Sequence, residues 1–153
     1  MMSVPTVALL MGSASDRDKV KPAEDIFAEM GVEVKVQVIS AHRQPEKLRA
    51  FMSEAPSEGV EVFIAAAGKA AHLPGVVAAL APLPVIGIPI SSPDLGGLDA
   101  LLSIVQMPRG IPVATVAIDG AANAALLACS ILALKYESVA SALADFRRRL
   151  SEG

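Results

Sequence analysis

The chain has 153 residues, a length that suits one domain with one core, and sets 13 Lys plus Arg against 16 Asp plus Glu for a net charge of −3. No basic run is present to neutralise a row of phosphates, which argues against nucleic-acid binding, and a single cysteine, Cys129, excludes a disulfide framework or a thiolate metal site. Hydrophobic residues make up 53% of the chain but aromatics only 3%, so the apolar mass is Ala, Val, Ile and Leu, as suits strands covered on both faces by helices.

The first apolar run, 6–11, reads as a strand. It gives way to Gly12-Ser13-Ala14-Ser15-Asp16, whose small residues let backbone N–H groups and two hydroxyls approach an anion at the N-terminus of a helix predicted over 17–30. Phosphate suits that position. Asp16 would repel a phosphate that it faced, so its carboxylate is expected either to cap the helix or to take ribose hydroxyls. A second strand, 32–39, leads into Ser40-Ala41-His42-Arg43. Arg43 can fork two N–H donors onto a phosphate, with Ser40 adding a third. His42, beside them, is of the residue type best suited to give and take a proton near neutral pH, although a loop histidine can also be satisfied by backbone. Pro45 then opens a helix over 45–55, in a first turn where its missing N–H costs nothing.

A third strand, 60–66, ends before Gly68-Lys69-Ala70-Ala71-His72-Leu73-Pro74-Gly75, which brings the only other histidine to the same edge of the sheet and adds the charge of Lys69. Spacing leaves His72 open between a part in the site and a cap or packing residue for the helix predicted over 74–80. The apolar run 76–90 is cut by Pro82, Pro84 and Pro89 and is too short to span a bilayer as a helix. With no basic region ahead of the first apolar stretch, a cytoplasmic protein without membrane contact is expected. The end of that run, 85–90, is the fourth strand. Ser91-Ser92-Pro93-Asp94 with Gly96-Gly97 follows, either a lid or a plain connection to a helix over 98–106. A fifth strand, 113–118, precedes an Ala-rich helix over 121–136, in which Cys129 reads as a small buried hydrophobe. Finally, 138–150 sets Ala140, Leu143, Ala144 and Leu150 as an apolar stripe opposite Arg147, Arg148 and Arg149, an amphipathic closing helix with a basic C-terminal end.

Strands and helices alternate throughout, and right-handed crossovers then predict an α/β fold: a three-layer αβα sandwich around a five-stranded parallel sheet in the order 2-1-3-4-5, with a Rossmann order as the alternative. No repeat, low-complexity tract or linker interrupts it, so 1–153 is expected to be one domain. A mean hydropathy of +0.52 is high for so short a chain and predicts apolar surface covered by other copies. Ligands of such sheets bind at the carboxyl ends of the strands. The residues alone therefore reach a phosphate-bearing small molecule and one or two histidines for proton transfer, without naming a reaction.

Four segments, Met11-Gly12-Ser13-Ala14-Ser15-Asp16, Ser40-Ala41-His42-Arg43, Ala70-Ala71-His72-Leu73-Pro74-Gly75 and Ser103-Ile104-Val105-Gln106-Met107-Pro108-Arg109-Gly110, together resemble the PurE family of N5-carboxyaminoimidazole ribonucleotide (N5-CAIR) mutases. The resemblance keeps order and spacing from about Val4 to Tyr136. It implies a flavodoxin-like sandwich, a homo-octamer with active sites at subunit contacts, and isomerisation of N5-CAIR to 4-carboxy-5-aminoimidazole ribonucleotide in purine (IMP) biosynthesis, with no cofactor and no metal. By motif position, His42 corresponds to the catalytic histidine. Ser13, Asp16 and Arg43 correspond to ligands of the ribonucleotide, with Ser15 and Ser40 nearby. His72 lies in the second site motif, which Gly68 and Lys69 lead into.

Ala66 and Lys69 stand where the family pattern has glycine. Carboxylases that take CO₂ directly resemble this family but carry an arginine near position 69, a lysine in place of Arg43, Ser-Asn in place of Ala70-Ala71, and no counterpart of His72. Arg43 and His72 thus favour the mutase, and Lys69 the carboxylase. A non-enzymatic receiver module of the same fold needs an aspartate at the end of the third strand and a lysine after the fifth, and neither 65–68 nor Asp119 supplies them. A flavin carrier would stack aromatics on the ring, and the chain has no Trp and one Tyr, Tyr136.

Overall fold

A computed structural model describes residues 3–153. In chain order its elements are β1 (Thr6–Met11), α1 (Arg17–Met30), β2 (Glu33–Val38), α2 (Pro45–Glu54), β3 (Val60–Gly68), α3 (Leu73–Leu80), β4 (Val85–Ile90), α4 (Leu98–Val105), β5 (Ala114–Thr115), α5 (Ala121–Leu132) and α6 (Glu137–Ser151). Every strand pairing is parallel and the order is β2-β1-β3-β4-β5, the doubly wound arrangement and not the Rossmann one.

Strands β1 and β4 are buried along their whole length, because each face of the sheet carries a helical layer. Alternate side chains enter different cores. Val7, Leu9, Ile64 and Ile86 pack with Val20 and Phe27 of α1, Ala124 and Ala128 of α5, and Val139 of α6. Ala8, Leu10, Phe63 and Ala65 pack with Leu48 of α2, Val77 of α3 and Ile104 of α4. Handedness explains the division: the step from β1 to β2 runs one way along the sheet and the steps from β2 through β5 run the other, so right-handed crossovers place α1 opposite α2, α3 and α4. Cys129 lies in the first of these cores, where burial pushes its thiol up to about 11, so it stays protonated as a small hydrophobe.

Helix ends follow local chemistry. Gly31 closes α1 in the left-handed region at φ 69°, with its N–H on Phe27 O and the next amide, of Val32, on the same carbonyl. Pro45 and Pro74 occupy the first turns of α2 and α3, as their missing donors predict.

The structure departs from the sequence expectations in three places. The fifth strand is two residues long, Ala114–Thr115, where 113–118 is expected. Its neighbour is the cause: the carbonyls of Gly87 and Pro89 face β5, accepting from the amides of Val116 and Asp119, so the missing N–H of Pro89 falls on that side and the ladder has no donor to continue. The Ala-rich helix ends at Leu132, and the chain tightens into a turn over 133–135. In α6 the inward stripe is the buried Val139 and Leu143 with the partly buried Ala142 and Phe146, whereas Ala144 and Leu150 of the expected stripe are exposed. The helix is turned so that its larger side chains meet α1 and α5.

Candidate active site

The carboxyl ends of β1, β2, β3 and β4 open into one cleft of about 480 Å³, beside the point where the chain reverses direction across the sheet. Each loop contributes through its own backbone logic. After β1, Ser13 caps a short 3₁₀ turn over Ala14–Asp16: its Oγ accepts from the amide of Ser15 at 3.3 Å and lies 2.8 Å from Ser15 Oγ. Asp16 holds the cap position of α1 but makes no side-chain cap bond, so the capping role is taken by Ser13 and the carboxylate of Asp16 is left lining the cleft.

That placement has a consequence for stability. Burial pushes the Asp16 carboxyl above its ordinary 3.8; the Lys19 ammonium pulls it back and the Asp119 carboxylate pushes it further up. A carboxyl raised in this way favours the folded chain when protonated, so its contribution is complete below about 3.8 and is lost as pH rises through the higher folded value. Asp16→Asn is therefore expected to raise the melting temperature of the free protein at pH 7, with the gain shrinking toward pH 3. Calorimetric melting at the two pH values checks this, and an equal or lower melting temperature at pH 7 contradicts it.

After β2, a tight turn aims two side chains outward. The amide of Gln44 donates to Ser40 O at 2.8 Å and the amide of Arg43 to Ser40 Oγ at 3.2 Å, which leaves the hydroxyl hydrogen of Ser40 free to donate. His42 and Arg43 both line the cleft, and Arg43 makes no ion pair among the described residues.

After β3, Gly68 ends the strand against the backbone of Ile90, and Lys69 follows at φ 52°. This is the left-handed region, which a residue other than glycine enters at a cost of about 1–2 kcal/mol. The chain thus takes the path that glycine favours, with lysine in its place. Ala66, the other departure from the family pattern, lies in regular strand, paired with Met11 and Ile88 and fully buried. His72 holds the cap position of α3 without making a cap bond. Its Nδ1 lies 2.5 Å from His42 Nε2, with the rings edge to face at 83°, so its side chain faces the other histidine and does not cap the helix. One ring nitrogen of the pair must carry the proton and the other the lone pair.

The loop after β4 walls the far side. Lys69 crosses to it and pairs with Asp94 at 2.8 Å. Ser91 is gripped from two elements: its amide and hydroxyl donate to Asp119 at 2.9 and 2.5 Å, and Lys19 Nζ donates to its carbonyl at 2.9 Å and its hydroxyl at 2.8 Å. Gly97 turns the loop at φ 99° with Ile118 where a Cβ would go.

All nine residues singled out in the sequence, Ser13, Ser15, Asp16, Ser40, His42, Arg43, Gly68, Lys69 and His72, therefore reach the same cleft. Lys19 and Asp119 were not among them. Lys19 stands three positions after Asp16 on the first turn of α1, a spacing that puts the two on one helix face and was readable as a signal.

A family model described as AIR carboxylase matches residues 6–153. The chain is 54% identical over 143 residues to the N5-carboxyaminoimidazole ribonucleotide mutase of Saccharolobus solfataricus, across 94% of this chain and 90% of that protein. It is 49% identical over 148 residues to the phosphoribosylaminoimidazole carboxylase of Schizosaccharomyces pombe, across 97% of this chain and 27% of that longer protein. Among solved structures, PurE of Treponema denticola matches with a TM-score of 0.89 at 28% identity, over 97% of this chain and 92% of that one.

Proposed function

The chain belongs to the AIR carboxylase family, and from that premise we propose that it is an isomerase of purine biosynthesis, converting N5-CAIR to 4-carboxy-5-aminoimidazole ribonucleotide. The observation that carries the reading is the paired His42 and His72 in one cleft with Ser13, Asp16 and Arg43. Mutase relatives at about half identity over nearly the whole chain support the same reading.

In this reading the phosphate rests on the Ser13 to Ser15 turn and Arg43, and Asp16 accepts from the ribose hydroxyls. The aminoimidazole then reaches His42. A proton delivered to the carbamate nitrogen breaks the N–C bond and frees CO₂ beside the ring. Electron density of the aminoimidazole, centred on C4, forms the new C–C bond before the CO₂ diffuses away, an advantage of holding both partners in one closed site. The proton on C4 then returns to His42, so the step is neutral in protons overall. His72, in hydrogen-bond contact with His42, fixes the ring and which of its nitrogens is protonated.

A second reading, direct carboxylation of aminoimidazole ribonucleotide by CO₂, is favoured by the Lys69 cation at the cleft and by the carboxylase relative. Purified protein supplied without ATP with either N5-CAIR, or aminoimidazole ribonucleotide plus bicarbonate, separates the two. Rapid formation of the 4-carboxylated product from N5-CAIR is the expected result, and product from the second mixture alone overturns it.

A cytoplasmic homo-octamer with sites completed at subunit contacts belongs to the same proposal. Leu98, Leu102 and Val105 line one face of α4 with Leu95 just ahead of it, all between 46% and 64% exposed, and Leu134 is 90% exposed. A lone chain seldom leaves such a stripe in water. No helix among the described residues is long and apolar enough to cross a membrane.

A further inference from the structure

We propose that Lys19 is a positioning residue of the ribonucleotide site, its ammonium tying Ser91 of the cleft wall to Asp119 behind it and standing near enough to Asp16, at the start of the same helix, that this carboxylate serves as acceptor for the ribose. The proposal rests on the assignment of Asp16 to the ribose.

An ammonium has three N–H donors. Two of those on Lys19 go to the carbonyl and hydroxyl of Ser91, and its Nζ lies 4.0 Å from Asp119 Oδ1. The contacts form one chain of donors, from Lys19 to the Ser91 hydroxyl and from that hydroxyl to Asp119 Oδ2. Asp119 stands at φ 57°, a left-handed conformation that aspartate tolerates better than most residues other than glycine. Two bonds from Ser91 hold its carboxylate in place.

Lys19 thus stands 4.0 Å from Asp119 and three positions after Asp16 at the start of α1, and Lys19 and Asp16 both line the cleft. For Asp119, burial pushes the carboxyl up, but the Ser91 hydroxyl and amide, with Lys19 behind them, outweigh it and hold the group below its ordinary value. Asp16 has no such donors, and Lys19 is what opposes its burial and the charge of Asp119. Other charged or titratable groups of the cleft are committed elsewhere or lie on the opposite loops. Lys69 pairs with Asp94, and His42 with His72, while Arg43 belongs to the anion side. On α1 itself, Arg17 pairs with Glu24, and Asp18 adds one more negative charge. Without Lys19, Asp16 is the carboxylate that protonates first, and a protonated carboxyl is a poorer acceptor for a diol.

Lys19→Met and Lys19→Arg test this. Carbon-13 NMR titration of Asp16 in the ligand-free protein should place its midpoint at higher pH in Lys19→Met and near the wild-type value in Lys19→Arg. With N5-CAIR, Lys19→Met should raise KM by about tenfold, the scale of one charge-assisted contact, change kcat less than about threefold, and move the acidic limb of kcat/KM to higher pH. Lys19→Arg should restore all three. An unmoved Asp16 midpoint, or an unchanged KM, overturns the proposal. Failure of the function reading looks different, since wild-type protein would then leave N5-CAIR unconverted while the NMR titrations still report on Lys19.

Discussion

Replacing His42 with asparagine is expected to lower N5-CAIR turnover by about 10²–10⁴-fold, the usual worth of a positioned proton-transfer group, while ribonucleotide affinity stays within a few-fold of wild type. An amide can occupy part of the imidazole's volume and keep a hydrogen bond, but it cannot take a proton from carbon and hand it to nitrogen. Of the groups proposed to anchor the ligand, Ser13 and Asp16 come from the loop after β1, and Arg43, next to His42, has its backbone held by the Ser40 turn, so all three should remain in place. The variant should therefore bind product as measured by calorimetry yet give almost no product in a single-turnover experiment. Binding lost with turnover preserved would assign His42 to anchoring and remove it from the chemistry.

Gly87→Ala should cost about 2–3 kcal/mol of folding stability, or about 5–10 °C in melting temperature for a chain of this size. A Cβ on Gly87 would fall 2.4 Å from Ile104 Cγ2, 3.0 Å from Val113 Cγ1 and 3.3 Å from Pro74 Cβ. Ile104 is fully buried and cannot swing out, so α4 would have to lift from the sheet. Denaturant unfolding measures the loss, and the double variant Gly87→Ala/Ile104→Ala should lose less than the sum of its two single variants, because alanine at 104 lacks the Cγ2 that obstructs the new methyl. A Gly87→Ala variant as stable as wild type would mean that α4 is not seated against β4 as described.

What could be read from the sequence was what depends on neighbours along the chain. The strand at 6–11 and the helix at 17–30 were legible to the residue, because an unbroken apolar run and a helical apolar period bounded by Gly31 leave little choice. The brevity of β5 was not legible from its own residues, since the cause is a proline on the strand beside it. The face of α6 was misread because alanines at 140 and 144 fit an apolar stripe on paper but bury less than Val139 and Phe146, and the choice belongs to α1 and α5. The cleft was legible because its residues crowd the ends of strands. Asp119 was not legible because an aspartate there acquires meaning only through Ser91, 28 residues away; Lys19 left one local signal, its spacing from Asp16, but its bonds to Ser91 join residues 72 apart. The ambiguity at His72 had the same origin, as its partner lies on a different loop.

The two ends of the sheet set how copies of this chain can meet. On one side, the short β5 and the donor that Pro89 withholds leave almost no backbone for a foreign strand to copy. On the other, β2 carries Lys35 held to Glu58, a charged rim that resists extension. In the proposed assembly, sheet growth, the route that leads to open-ended fibres, is thereby disfavoured against side-chain contacts of the kind the exposed apolar face of α4 offers, which can close on themselves and stop.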